Sequence, residues 1–382
     1  MFFIKRVLVI NNYLKSFKMS KYSDFIGPII IIGIIFLVAL SVSRNYLVVN
    51  FNGALTDNLS TYENFYLNNF EKQLDIRDCG NSIDLSDRHK LRWFLWKAKT
   101  QIYILARELF GFAGVGAAFA LIHALIITLT FWFTQKNILY CMNSISNEKK
   151  GIVTNINNSE IFIVNAIVFL TLFLYTFNGQ VGEFNYSVTE ALFVSAAFYS
   201  TLKKRIFLFA IIVSLAVLNR ESGFILLSLW VLFNGLYSKK FYQNFYMLLP
   251  PVVFIIANFS ILECLFQDNF LISSAQLPGQ VTYHIFFDGL WGFIRGILAL
   301  FFNYIIYLGP TYIAYKWLSK VESLDVTIFK KIISVLGVYV LVFLVGTPLN
   351  HMSVKFIIVP LICVLLSIYI IGMIENWKDN KI

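Results

Sequence analysis

Long apolar runs alternate with short clusters of charge along most of this chain. As helices, runs of about 20 residues cross the hydrocarbon layer of a bilayer. The pattern predicts such spans at 25–49, 109–133, 161–177, 186–202, 245–266, 290–318, 332–345 and 354–374. A further run, 206–236, holds 31 residues and lies between the basic clusters Lys203-Lys204-Arg205 and Lys239-Lys240. That is too short for two full crossings at about 20 residues each. The polar break Asn219-Arg220-Glu221-Ser222 divides it, so two short or tilted helices are expected to meet there. The expected fold is all-α: a polytopic integral membrane protein with about ten transmembrane helices, the middle ones short and broken.

Composition and charge refine this picture. Hydrophobic residues make up 58% of the chain and charged residues 14%, well below the roughly 25% charged of an average soluble domain. A chain this apolar cannot clothe itself in polar side chains. The net charge of +10 gathers at span ends, at Lys136, Lys149-Lys150, 203–205, 239–240 and 330–331. Such clusters orient membrane proteins rather than bind nucleic acid. They place both termini in the cytoplasm and predict a single transmembrane domain over 1–382, with its one large outer loop at 50–108. Within that loop, 91–105 has helical spacing with Trp93 and Trp96 on one side, and is expected to form an amphipathic helix on the outer membrane face. Residues 1–14 read as a cytoplasmic or interfacial leader. Cys79, Cys141, Cys264 and Cys363 have no CxxC spacing, which predicts neither a disulfide framework nor a structural zinc site.

Four polar groups are expected on the outer side. The first is Asn52 through Asn58, with Tyr62 and Glu63 beyond. Asp57 there suits a general base or a ligand for a divalent cation; Thr56-Asp57-Asn58 equally suits a helix cap. The second holds Glu183, Asn185 and Glu190; an acid inside a span is costly and usually faces protein or a wet cavity. The third is Asn219-Arg220-Glu221-Ser222, where a self-neutralising pair in a hairpin turn is the structural alternative. The fourth is His351 to Lys355, suited to a phosphate at the membrane surface or to simple interfacial anchoring. Arg295 adds a cation near a span start. His284 and Asp288 give a weak metal signal, His123 suits a hydrogen-bonded core position, and Gly111, Gly114 and Gly116 suggest close helix packing.

Asp57 in a first outer loop, the amphipathic helix in that loop, the Asn219–Gly223 break and His351–Lys355 before a span containing Pro360 together resemble the GT-C superfamily of polytopic glycosyltransferases, especially bacterial members of unassigned substrate. The likeness covers most of the chain as architecture, through short motifs. It implies transfer of a sugar from a polyprenyl-phosphate donor to a glycan, lipid or protein acceptor on the non-cytoplasmic side of a bacterial inner membrane. Asp57 and Glu63 would be the catalytic acids, and Arg220, Lys355, His351 and Arg295 would hold the donor phosphate. Asn52, Tyr62, Glu183, Asn185, Glu190, Asn219 and Glu221 would line the substrate pocket. Many members pair two acids in the first loop; here Asp57 has no adjacent acid. A polymerase of exopolysaccharide or O-antigen repeats shares the Asp-then-Tyr pattern of Asp57 and Tyr62. A transporter or lipid flippase is the non-enzymatic alternative, although the chain shows no internal repeat.

Overall fold

The computed structural model describes residues 23–50, 93–148, 158–178, 184–219, 221–235, 245–257, 307–317, 326–346 and 355–379, with isolated helical positions at 291, 294 and 298. Among these residues there is no strand. The helices are α1 (Ser23–Asn50), α2 (Trp93–Glu148), α3 (Asn158–Asn178), α4 (Phe184–Leu202) and α5 (Ile206–Asn219). A 3₁₀ turn (Glu221–Leu226) leads into α6 (Leu227–Asn234), followed by α7 (Leu249–Ala257), α8 (307–317), α9 (Val326–Gly346) and α10 (Lys355–Asp379).

Three helices are long and apolar enough to cross a membrane, over Ile26–Ser43, Gly116–Asn143 and Ser159–Thr176. Their outer faces are those of a membrane protein. Ile26, Ile29, Ile30, Ile34 and Leu37 of α1 are exposed, as are Leu121, Leu125, Leu129 and Trp132 of α2. The α2 stripe recurs every three or four residues, the helical period. Phe119, Ala124, Ile127 and Phe131 line its buried side. Buried hydroxyls on these apolar helices bond to carbonyls one turn back: Thr130 to Ile126, Thr134 to Thr130, Thr176 to Leu172 and Ser214 to Ala210. That is how a hydroxyl is satisfied without water.

The core is built around α10. Ile358, Val359, Leu361, Ile362, Cys363, Val364 and Leu365 are all at most 1% exposed, so over 358–365 this helix is enclosed on every side. It packs against α2, α3, α4 and α9. Trp317 of α8 meets Tyr369 edge to face and lies over Gly372.

Two details differ from the sequence expectation. The second span was expected to end at Lys136 and give way to a loop, but α2 continues to Glu148. Asn137 is buried there and donates from Nδ2 to the Ser195 carbonyl of α4 (2.9 Å), so tertiary packing overrides the polar local sequence. The run 245–266 is helical over Leu249–Ala257, and 258–266 lie outside the described residues. The run expected to start at 332 also differs, since α9 begins at Val326; α3 ends at Asn178 and α4 begins at Phe184, close to the expected break.

Two elements fold back on themselves. The first is the divided run. α5 has 14 residues, about 21 Å of helix, against a hydrocarbon core of about 30 Å. The chain turns after Asn219 and returns through the 3₁₀ turn and α6. Phe209 packs on Trp230 (centroids 5.2 Å), and Asn234 Nδ2 donates to the Thr201 carbonyl (3.2 Å), so the returning limb ends beside the starting one. At the tip, Gly223 presses on the α5 backbone; a Cβ there would lie 2.5 Å from the Ala216 carbonyl carbon and 2.6 Å from the Val217 nitrogen. The second fold-back is in α2. Gly111 has φ 65° and ψ −155°, a region essentially restricted to glycine. On a straight helix Tyr103 and Phe119 would stand about 24 Å apart; their rings are 5.9 Å apart. The elbow is therefore acute, and Gly114 packs against the Ala106 carbonyl of the returning arm.

Candidate functional site

Lysines of three basic clusters, Lys136, Lys203 and Lys331, mark one end of the bundle. Lys203, in the tight turn between α4 and α5, reaches over the Tyr140 ring of α2 (4.6 Å). Lys136 covers Trp132 at 4.6 Å. Lys331 of α9 donates to the Phe233 carbonyl (2.8 Å) near the C-terminus of α6 and lies over the Phe233 ring, where a cation complements the helix dipole. Lysines widely separated in sequence thus meet around the base of the α5–α6 hairpin.

Heights above this rim follow from helix rise. Thr201 lies at the rim through its bond to Asn234. Glu190 is eleven residues earlier in α4, about 17 Å along the axis. Asn219 is fourteen residues beyond Arg205 on α5, about 21 Å from the same rim. Both were singled out as pocket residues, and both are buried, Glu190 at 4% and Asn219 at 2% exposure. They belong to one polar belt in the far half of the bundle.

Lys99 joins this belt from the arm of α2 preceding the elbow. It is 7% exposed, and its Nζ donates to Thr189 Oγ1 of α4 at 2.9 Å. Burial pushes its ammonium down from the usual 10.5 to about 7, because a low-dielectric surrounding disfavours the charged form. Thr189 precedes Glu190 in α4, and the Glu190 carboxylate acts electrostatically on Tyr339 of α9. On the inner side of the elbow, Phe119 stands between Tyr103 and His123, its ring centroid 4.1 Å from the imidazole. His123 Nδ1 lies 2.8 Å from the Phe119 carbonyl, a hydrogen-bonded core position of the kind expected. The arm has reversed polarity for a soluble helix: Lys99 and Tyr103 face the protein, while Ile102, Leu105, Leu109 and Phe110 are exposed.

The structure therefore gathers a lysine, a hydroxyl, an acid and a phenol from three helices. Such a set can donate and accept hydrogen bonds to a polar ligand and can exchange protons. Lys99 falls inside the expected outer loop 50–108, and neither it nor Thr189 nor Tyr339 is among the candidates read from the sequence. The available signal was the stripe Ile102-Leu105-Leu109: on a membrane protein that face turns outward and sends the opposite one inward.

Most of the other candidates lie outside the described residues: Asn52, Asp57, Tyr62, Glu63, Glu183, Arg220, Arg295 and His351. The same holds for His284 and Asp288. The backbone places Asn185 in the first turn of α4, Glu221 at the start of the 3₁₀ turn and Lys355 at the start of α10. Among the described residues, no three His, Cys, Asp or Glu side chains come together as a metal site. Comparison with known protein families, curated proteins and solved structures finds no match to this chain.

Proposed function

We propose that this chain is a membrane glycosyltransferase of GT-C type. It would take a sugar from a polyprenyl-phosphate carrier and pass it to a glycan, lipid or protein acceptor outside the cytoplasm. The observation that carries the reading is the polar belt. Lys99, Thr189, Glu190 and Asn219 are buried in the half of a lipid-facing bundle remote from its basic rim. Ionisable groups in that position are costly and favour function over structure. A lipid-borne donor suits this geometry, since its tail can lie among apolar helices while its head group rests near the belt.

In this reading the chain crosses the membrane ten times with both termini cytoplasmic. Asp57, with Glu63 nearby, accepts the acceptor's proton as its oxygen attacks the anomeric carbon. Arg220, Lys355, His351 and Arg295 hold the donor phosphate, arginine by a planar fork and lysine as a point charge. Asn52, Tyr62, Glu183, Asn185, Glu190, Asn219 and Glu221 line the pocket, and a divalent cation is an optional addition.

Mass analysis of lipid-linked glycans from cells with and without the gene tests the reaction. A missing single sugar at normal chain length is the expected result. Accumulated single repeats would make the chain a polymerase, and unchanged glycans would remove the transfer reading. Asp57→Asn is expected to abolish transfer at normal protein level and membrane insertion; wild-type transfer would exclude Asp57 from the chemistry. A transporter reading draws on the same buried Lys99 and Glu190. It predicts solute uptake into sealed vesicles with glycans unaltered.

A further inference from the structure

Lys203, Lys204 and Arg205 form the tight turn that joins α4 to α5, and all three are exposed. The backbone closes this turn. The Arg205 N–H donates to the Ser200 carbonyl (2.9 Å) and the Lys204 N–H to the Thr201 carbonyl (3.0 Å). Such a pair of bonds ends a helix with one residue in the left-handed region, a place usually held by glycine. Here Lys204 holds it, with φ 54°. Closing the turn therefore asks neither for a side chain at 204 nor for three cations in a row, and a backbone outlier of this kind points to a use beyond folding. Lys203 offers its charge from a fixed place, over the Tyr140 ring at 4.6 Å. Lys331 belongs to the same rim: its Nζ donates to the Phe233 carbonyl, next to Asn234, which bonds Thr201.

Beside the cations the surface turns apolar. Phe207 and Leu208, just past Arg205 on α5, are exposed, as are Phe245 and Leu248 in the chain leading to α7. Phe207 meets Tyr246 edge to face at 5.5 Å, so the two stretches form one face. α5 and α7 pack against each other beyond it. A cluster of exposed cations at the edge of an apolar face matches a lipid whose head group is negative. Charge complementarity selects an anionic lipid over a zwitterionic one, and the apolar face selects a lipid over a free phosphate. We propose that the α4–α5 turn is a head-group site for an anionic diacyl phospholipid of the adjoining leaflet. Its phosphate meets Lys203, Lys204 and Arg205, and its acyl chains lie on the face of Phe207, Leu208, Phe245 and Leu248. The site stands apart from the transfer reaction: it is about 21 Å along α5 from Asn219, and a transporter with this rim would hold the same lipid.

Binding to the full-length protein in neutral detergent tests this. Phosphatidylglycerol, phosphatidylcholine and inorganic phosphate are titrated separately, and bound molecules are counted by native mass spectrometry. Phosphatidylglycerol is expected to bind more tightly than phosphatidylcholine and to weaken as salt rises, since exposed charges are screened. Each Lys or Arg beside an anionic surface is worth about fivefold in affinity. Lys204→Gln with Arg205→Gln should therefore bind phosphatidylglycerol about 25-fold more weakly, while Lys204→Arg should match wild type. Lys204→Gly separates the ligand from the fold. It supplies the residue the turn prefers and removes one charge, so the thermal midpoint should rise while phosphatidylglycerol binds about fivefold more weakly. Phosphatidylglycerol bound no better than phosphatidylcholine overturns the proposal, as does wild-type affinity in the double glutamine variant. If that variant folds poorly, wild-type affinity in Lys204→Gly has the same force. Inorganic phosphate displacing the lipid at equal concentration would make the turn a free-anion site and would overturn it too.

Discussion

At the residue scale, two glycines make the fold-backs possible for different reasons. At Gly111 the requirement is conformational, since φ 65° with ψ −155° is foreign to an alanine. Gly111→Ala is expected to destabilise the protein by about 1–3 kcal/mol, seen as a lower thermal midpoint in detergent. At Gly223 the requirement is space. An added methyl would strike the Ala216 and Val217 backbone, which cannot move aside as a flexible side chain can. Gly223→Ala is expected to cost about 1–3 kcal/mol by the same measurement. Gly33 serves as the control, because a methyl added there would meet nothing within 4 Å; Gly33→Ala should leave the midpoint unchanged or slightly raised. These roles were only partly visible beforehand. The sequence suggested close packing at Gly111, but nothing local to Phe110-Gly111-Phe112 encodes an acute angle. That angle arises because Tyr103 meets Phe119 across the elbow.

At the scale of elements, the α5–α6 hairpin was legible because its two limbs together are too short for two crossings and a polar quartet divides them. The structure adds the contacts that close it, Asn234 to Thr201 and Phe209 to Trp230. On the proposed topology both ends of the hairpin lie on the same membrane side. An impermeant maleimide should label cysteines placed at Lys204 and at Ser238, four residues past α6, from the same face of sealed vesicles. Labelling from opposite faces would make the run a single crossing. The end of α2 was not legible. Residues 137–148 hold asparagines and serines that suggest a loop, and only the burial of Asn137 against Ser195 of α4 shows why they stay helical. Long-range partners of that kind leave no trace in local periodicity.

At the scale of the molecule, Glu190 and Asn219 were identified because a polar residue among apolar ones stands out in any window. Their similar height above the basic rim required the structure. Lys99 was hidden by its neighbours: it sits in a stretch rich in charge, where one more lysine looks solvated. If the chain acts as the proposed transferase, Glu190→Gln is expected to lower transfer while sparing membrane insertion, measured as product formed from a lipid-linked donor. Transfer at the wild-type rate would separate the belt from the reaction. The central position of α10 was equally invisible, because uniform hydrophobicity describes a lipid-facing helix and an enclosed one alike.

That central position bears on how the protein is made. The helices surrounding α10 leave the ribosome before it does, so each enters the bilayer while the axis they will share is still missing. Until α10 arrives, the faces destined to meet it must be covered by lipid or by an insertion factor, and assembly is completed by sliding a post into a ring rather than by adding one more stave to its rim.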